Sequence, residues 1–518
     1  MALLNFSNAW LQAAVCVGFF AYAVYTFGVT TGAIPSTWQD AFEASGAGSP
    51  ALVNAYNIVT GLNYLAFAVL GAGCLLWPYL SSLFSKPSKH EGGATEAPAS
   101  EQDVEAAQAA ETNVAAPKPK RPKLFYLTHM KTFLTFIVVT QHVFNSGLNQ
   151  GGAQGIYSLV ADPSSVLYKL FAVFFDGANQ GYFMAAFYLI SAYFCPKSLD
   201  RKGFREYVLD KLVRLGGGFL LYSVVLGPLQ FMWTSAYAGG DVMYTPGNSN
   251  MGPTWFVFWL LNFSILYAII AQVMPVIRFK MPNPVLLAVG GFAFGVVHLA
   301  VELTPIAGLV LLFDFDNMNK WDQGLSLYIP FFAAGIIGGR NGWLDSIENM
   351  SRWCKWTLRV IVGSLLILQL IDAFDVINWS SPHGLQWLQS GLNYGVYSVA
   401  MTLMQMQLFH EFLNINTKFL GAVGVAAYAV YIIHPWFLNF WTMIYLEILK
   451  AAHVPIIFSQ NIVGSVSLYS TIDAAGQPAS LSEGILTGGL IMVFVLTQLM
   501  VWPAAYYLRK LPVLNRVL

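Results

Sequence analysis

Residues Leu124–Asn149 read LFYLTHMKTFLTFIVVTQHVFNSGLN, a stretch long enough to span a bilayer as a helix. It is not uniformly apolar. At 100° per residue, Lys131, Thr135, His142, Asn145 and Asn149 fall within about 40° of the Lys131 direction. The other faces are mostly Phe, Leu, Ile and Val. A polar stripe on a membrane helix must face protein or a water-filled path, because an ionisable group near the bilayer centre costs about 2.5–3.5 kcal/mol. Lys131 and His142 are eleven residues apart, about 16 Å along the axis. One therefore sits near a membrane face and the other well inside. The stripe reads as the wall of an active site.

The rest of the chain sets the class. Of 518 residues, 56% are apolar and 10% are charged, and mean hydropathy is +0.56. A soluble domain carries about a quarter charged residues. Repeated apolar runs of about twenty residues imply an all-α polytopic transmembrane helical bundle in a lipid bilayer. Net charge is zero, which leaves no basis for nucleic-acid binding. Cys16, Cys74, Cys195 and Cys354 are scattered, so neither a disulfide framework nor a zinc site is expected. No metal motif or nucleotide-binding glycine loop occurs. The first apolar run lacks a basic leader and is long enough to remain as a span.

Two spans are expected first, near 9–32 and 55–80, forming an N-terminal extension over 1–81. Residues 82–123 are rich in Ala, Glu, Pro, Lys and Ser and read as a disordered polar cytosolic linker ending in PKPKRPK. About ten more spans fit the transmembrane domain 124–518, near 125–148, 173–195, 213–235, 255–276, 284–303, 322–339, 356–374, 388–412, 422–446 and 484–508. Lys and Arg concentrate in alternate connections: the linker end, Lys197–Arg214, Arg278 with Lys280, Arg340–Arg359 and Arg509–Arg516. The loops at 149–165, 236–253, 375–387 and 451–483 are nearly free of them. The positive-inside rule then places both termini, the linker and the Lys131 end in the cytosol. His142 lies towards the far side. Whether the membrane is a bacterial inner membrane or a eukaryotic one is left open.

Several residues stand out, each with a plainer reading beside it. His142 alone reads as a buried histidine on a backbone carbonyl, but it shares its face with a lysine and two asparagines. Lys131 alone reads as a snorkelling anchor. Arg201, Lys202 and Arg205 read as positive-inside bias. Lys211 and Arg214 share a helix face leading into a span and suit a phosphorylated ligand. His434, in YIIHPWF, sits before Pro435 and is either structural at a kink or part of the site. Trp255, in GPTWF, packs at the interface or stacks on a sugar. Asp314, Asp316 and Asp322 around Lys320 read as a solvated loop, and His298 with Glu302 as a helix pair. Gly216–Gly218 read as a close-packing run. Asn378-Trp-Ser380 is a glycosylation sequon with little weight.

Five stretches in order resemble the acyltransferase 3 family of integral membrane acyltransferases, nearest the branch of glucan biosynthesis protein C. They are YLTHMKTFLTFIVVTQH, FYLISAYFCPKSLDRKGFREYVLDKLVRLG, GPTWFVFWLLNFSILYAI, YIPFFAAGIIGGRNGWL and YAVYIIHPWF. The resemblance covers about 124–512. Departures are Thr128 and His129 before the first cation, Ala192 for the usual glycine, and Lys211 for an arginine. The resemblance implies transfer of an acetyl- or succinyl-type group from cytosolic acyl-CoA to a hydroxyl of a glycan or other acceptor across the membrane. Lys131, Lys211 and Arg214 would meet the CoA phosphates. His142 would act as general base in a direct attack, or alternatively carry the acyl group covalently, with Asn145 or Gln141 as oxyanion donor. His434 and Trp255 would line the acceptor site. A transporter of a small polar or anionic solute and an inactive relative are the competing readings. Nothing in the sequence bears on oligomeric state.

Overall fold

Apolar runs become helices here because no water is present in a bilayer to satisfy open backbone groups. The computed structural model describes residues 2–30, 50–84, 124–147, 157–237, 239, 242, 252–302, 325–376, 385–460, 467–472 and 475–518. The first two helices are α1 (Ala2–Thr30) and α2 (Pro50–Phe84). The domain then begins with α3 (Phe125–Gly147), the striped helix. It continues through α4 (166–180), α5 (Phe183–Tyr193), α6 (Cys195–Tyr237), α7 (Trp255–Ile270) and α8 (Pro284–Glu302). After these come α9 (Leu325–Asn341), α10 (Trp343–Glu348), α11 (Arg352–Ala373) and α12 (386–412). Last are α13 (Lys418–Ala451), α14 (Glu483–Leu508) and α15 (Leu514–Val517).

The helices lie close to the expected spans. Among the described residues, seven are long and apolar enough to cross a membrane by length and composition. The expected span 173–195 is two pieces, α4 and α5, broken at Gly181–Tyr182. The break is held by Ser398, whose hydroxyl donates to the Gly181 carbonyl, while the Tyr397 ring packs where a Gly181 side chain would stand. The span expected at 213–235 is only the end of a 43-residue helical run, kinked at Gly203 (φ +74°). Lys211 and Arg214 therefore sit inside a helix, not at its start. The linker beyond Phe84, the Asp314–Asp322 loop, Asn149 and the 378–380 sequon lie outside the described residues, as does the Glu302 side chain. His298 is buried, its ring 5.7 Å from that of Tyr394.

One element departs from an all-helical reading. β1 (Tyr157–Leu159) runs parallel to β3 (Ser467–Ile472), which pairs antiparallel with β2 (Ile456–Gln460) and β4 (Pro478–Ala479). The registers are Ser158 to Leu468 and Phe458 to Tyr469. This sheet joins the connection after α3 to the one between α13 and α14, and so ties together the ends of the two helices that carry His142 and His434.

Glycines let helices approach closely. Gly291–Gly295 on α8 crosses Gly391–Gly395 on α12, two small-xxx-small pairs face to face. Ser390 Oγ donates to the Gly295 carbonyl at 2.6 Å. A β-carbon at Gly295 would stand 2.8 Å from Gly391 Cα. Gly295→Val is therefore expected to destabilise the protein by about 1–3 kcal/mol, seen as a lower unfolding temperature in detergent. Gly363→Ala is the control. Nothing lies within 4 Å of its new methyl, and in an α11 interior the change gains about 0.5–1 kcal/mol.

The N-terminal pair is packed into the domain. Phe19 lies parallel to Phe219 (centroids 6.2 Å apart, 8° between planes). Asn63 Nδ2 donates to Asn262 Oδ1 at 2.9 Å, and Arg205 Nε to the Cys74 carbonyl at 2.6 Å. The run Gly216–Gly218 meets three neighbours in turn. A β-carbon on Gly216 would come within 2.7 Å of the Phe19 ring, one on Gly217 within 3.3 Å of Val517, and one on Gly218 against the Tyr428 hydroxyl.

Candidate active site

α3 is held by the bundle along its length. At its first turn, Tyr126 donates through its hydroxyl to Glu348 (2.9 Å), and His129 Nε2 bonds the Ile415 carbonyl (2.8 Å). Farther along, Gln498 Nε2 donates to Thr140 Oγ1 (3.1 Å) and to the Phe136 carbonyl (3.2 Å). These bonds fix the helix rotation, which directs the polar stripe into the protein.

At the His142 end, the stripe meets α13. His142 Nδ1 lies 2.6 Å from His434 Nε2. The ring planes are 5° apart and the centroids 4.9 Å apart. That separation equals the N···N distance plus the two ring radii. The imidazoles therefore meet edge to edge in one plane, joined by a hydrogen bond and not by stacking.

Tautomers follow from the next partner. His434 Nδ1 lies 2.8 Å from the Tyr431 carbonyl, which can only accept, so Nδ1 carries the proton. His434 Nε2 then holds a lone pair and accepts from His142 Nδ1–H. The lone pair of His142 is thereby assigned to Nε2 from the network. Among the described residues Nε2 has no partner, and His142 is partly accessible. It faces a crevice.

The Tyr431 carbonyl is free for a reason readable in the sequence. In an α-helix it would accept from the amide four residues on, but that residue is Pro435, which has no N–H. The proline thus frees the acceptor that sets the tautomer of the preceding histidine. Tyr431 is itself fixed, since its hydroxyl donates to the Pro253 carbonyl. The turn carrying Pro253 is tight. Gly252 has φ +50°, and a β-carbon there would stand 2.6 Å from the Tyr222 hydroxyl.

The expectation that His434 touches substrate needs correction. The residue is fully buried and both ring nitrogens are committed to protein. It acts on His142. Trp255 is partly buried, with its ring 5.8 Å from that of Tyr328 and its edge against Phe256.

Asn145 and Gln141 converge on a residue the sequence reading passed over. Gln141 Nε2 donates to Asp176 Oδ1 at 2.6 Å. Asn145, with its amide nitrogen turned towards acceptors, donates to the same oxygen at 3.0 Å and to the Gln141 carbonyl at 3.2 Å. Both Asn145 amide hydrogens are therefore committed to these acceptors, which leaves neither free to meet an oxyanion. Asp176 follows the π-helical turn Lys169–Phe175, a wider turn that re-aims the side chains after it. It is the lone carboxylate in a run of apolar residues, FAVFFDGANQGYF. That isolation was the available signal.

At the other end of α3, three cations gather. Lys131 Nζ lies 5.4 Å from the Phe194 ring centre and feels the positive charges of Lys211 and Arg214. Lys211 Nζ lies 5.3 Å from the Tyr207 ring centre and 3.8 Å from Cys195 Sγ. Tyr428, one helical turn before Tyr431, donates to the Arg214 carbonyl at 3.0 Å.

Neighbouring cations are neutralised. Lys202 pairs with Asp210 (2.7 Å), Arg205 with Glu206, Arg340 with Asp200, and Arg359 with Glu411 (3.0 Å). Among the described residues, no carboxylate pairs with Lys131, Lys211 or Arg214. Three unpaired like charges in one place repel one another and favour an anion between them. Also among the described residues, no group of three or more His, Cys, Asp or Glu is placed to hold a metal ion.

A family model described as an acyltransferase domain, that of the acyltransferase 3 type, matches residues 124–470. No curated protein and no solved structure matches the chain.

Proposed function

The chain belongs to the acyltransferase 3 family and is a membrane acyltransferase, and from that premise we propose that it moves an acetyl- or succinyl-type group from acyl-CoA to a hydroxyl of a glycan-type acceptor. The observation that carries this reading is a single helix with two different ends. One end of α3 presents a base, His142 Nε2, tuned by a buried partner. The other end presents Lys131 beside Lys211 and Arg214, with no carboxylate paired to them among the described residues.

In this reading the CoA phosphates bind at the cations, and the pantetheine arm carries the thioester towards His142, about 16 Å along the helix. His142 Nε2 takes the acceptor hydroxyl proton as the oxygen attacks the thioester carbonyl. The C–S bond then breaks, and the departing thiolate takes the proton back from Nε2–H. While His142 holds the extra proton, the hydrogen bond from Nδ1 to His434 Nε2 spreads the positive charge over two rings and a backbone carbonyl. Charge-assisted bonds of this kind are roughly twice as strong as neutral ones. By the loop charges, the cation end faces the cytosol, so donor and acceptor arrive from opposite sides.

The direct test is mass spectrometry of acyl transfer by purified protein in detergent, with acetyl-CoA or succinyl-CoA and a glucan oligosaccharide acceptor. Absence of any His142-dependent acyl product with both donors would refute the proposal. A finer check uses Pro435→Ala. Restoring the amide gives the Tyr431 carbonyl a backbone donor and takes it from His434. Transfer is expected to fall about tenfold, equivalent to about 1.4 kcal/mol, with CoA binding unchanged and thermal stability equal or higher. Unchanged transfer would separate the proline from the tautomer.

A further inference from the structure

Asp176 is an ionisable group inside the bundle that the transfer chemistry leaves unused. Its Oδ1 receives both amide donors, Gln141 Nε2 at 2.6 Å and Asn145 Nδ2 at 3.0 Å. Those donors flank His142 on α3, one residue before it and three after. Among the described residues nothing donates to Oδ2, and the side chain is partly accessible despite its depth. The carboxylate thus turns one oxygen to the two amides that flank His142 and leaves the other without a protein donor among the described residues. Neither a lysine nor an arginine pairs with it among the described residues.

A base needs only the reacting hydroxyl. A second acceptor atom beside it holds a neighbouring hydroxyl of the same molecule and so fixes which oxygen faces Nε2. An anionic acceptor meets the opposite condition: its charge would enter a site of low dielectric beside a carboxyl group with no lysine or arginine paired to it among the described residues. Resting on the acyl-transfer reading above, we propose that Asp176 Oδ2 is an acceptor-binding atom, and that it selects neutral polyhydroxylated acceptors over those bearing a carboxylate.

A matched pair of probes separates this from the transfer reaction itself. Methyl β-glucoside and methyl β-glucuronide differ by one carboxylate, and acetyl transfer to each is followed by mass spectrometry. The wild-type protein is expected to favour the glucoside in kcat/KM by tenfold or more, since the glucuronide brings a carboxylate towards an oxygen that accepts hydrogen bonds from hydroxyls. In Asp176→Asn the preference is expected to shrink about tenfold, mainly through a higher KM for the glucoside, with CoA-dependent thermal stabilisation showing that the variant is folded. Should Asp176→Asn fail that stabilisation check, the wild-type preference alone decides. Equal use of the two probes by the wild type, or an unchanged preference in a folded variant, overturns the proposal while leaving acyl transfer standing. No transfer to either probe or to any glucan by the wild type refutes the transfer reading instead.

Discussion

His142→Ala is expected to lower acyl transfer by about 10²–10⁴-fold, the range for loss of a positioned general base, while CoA still raises the unfolding temperature. The geometry makes this more specific than the loss of any buried histidine. The variant removes an imidazole whose Nε2 has no partner among the described residues and whose Nδ1 is held at 2.6 Å. It leaves a ring-sized space beside His434 Nε2, which keeps its lone pair. Added imidazole should enter that space and restore part of the rate. A structural histidine would show no such rescue. His434→Ala should also slow transfer, but without imidazole dependence of the same size, because the base remains and only its orientation is lost. Full activity of His142→Ala would eliminate the mechanism.

The second large effect concerns the donor. Lys211→Ala combined with Arg214→Ala is expected to weaken CoA binding about 100-fold, from two charge-assisted contacts of roughly 1.5 kcal/mol each. Salt distinguishes this from a fold defect. Wild-type binding should weaken steeply as ionic strength rises and the Debye length shortens from about 10 Å at 0.1 M to 3 Å at 1 M. The double variant, which keeps Lys131, should show a much shallower slope. Relief of repulsion should also make the ligand-free variant at least as stable as wild type, since Lys131 loses two like-charged neighbours. Unchanged binding and an unchanged salt slope would remove these residues from the donor site. Arg214→Lys should retain most of the salt slope while losing bidentate geometry.

Much of this arrangement was legible in the chain, and what was not follows a physical pattern. Apolar runs located the helices, and the 100° rule put Lys131, His142 and Asn145 on one face of α3. Periodicity reports which side of a helix turns inward but not which partner waits there. His142 and His434 are 292 residues apart. Each is readable as a candidate, but their hydrogen bond is not, and His434 by itself reads as a substrate contact. Asp176 was missed because one carboxylate in an apolar run disturbs hydropathy very little. The break at Gly181–Tyr182 depends on Ser398 and Tyr397 from another helix. The sheet escaped notice because strands of two to six residues carry too few alternations to register.

The three-glycine run on α6 bears on when the molecule becomes competent during its own synthesis. Gly216 receives Phe19, made near the start, and Gly217 receives Val517, made five hundred residues later. Arg214 lies two residues before this run. The turn that presents it cannot settle into its final packing until early and late segments have both arrived. Loop closure over such separations is entropically slow. Donor affinity should therefore be the last property a nascent chain acquires, after the striped helix has already found its neighbours.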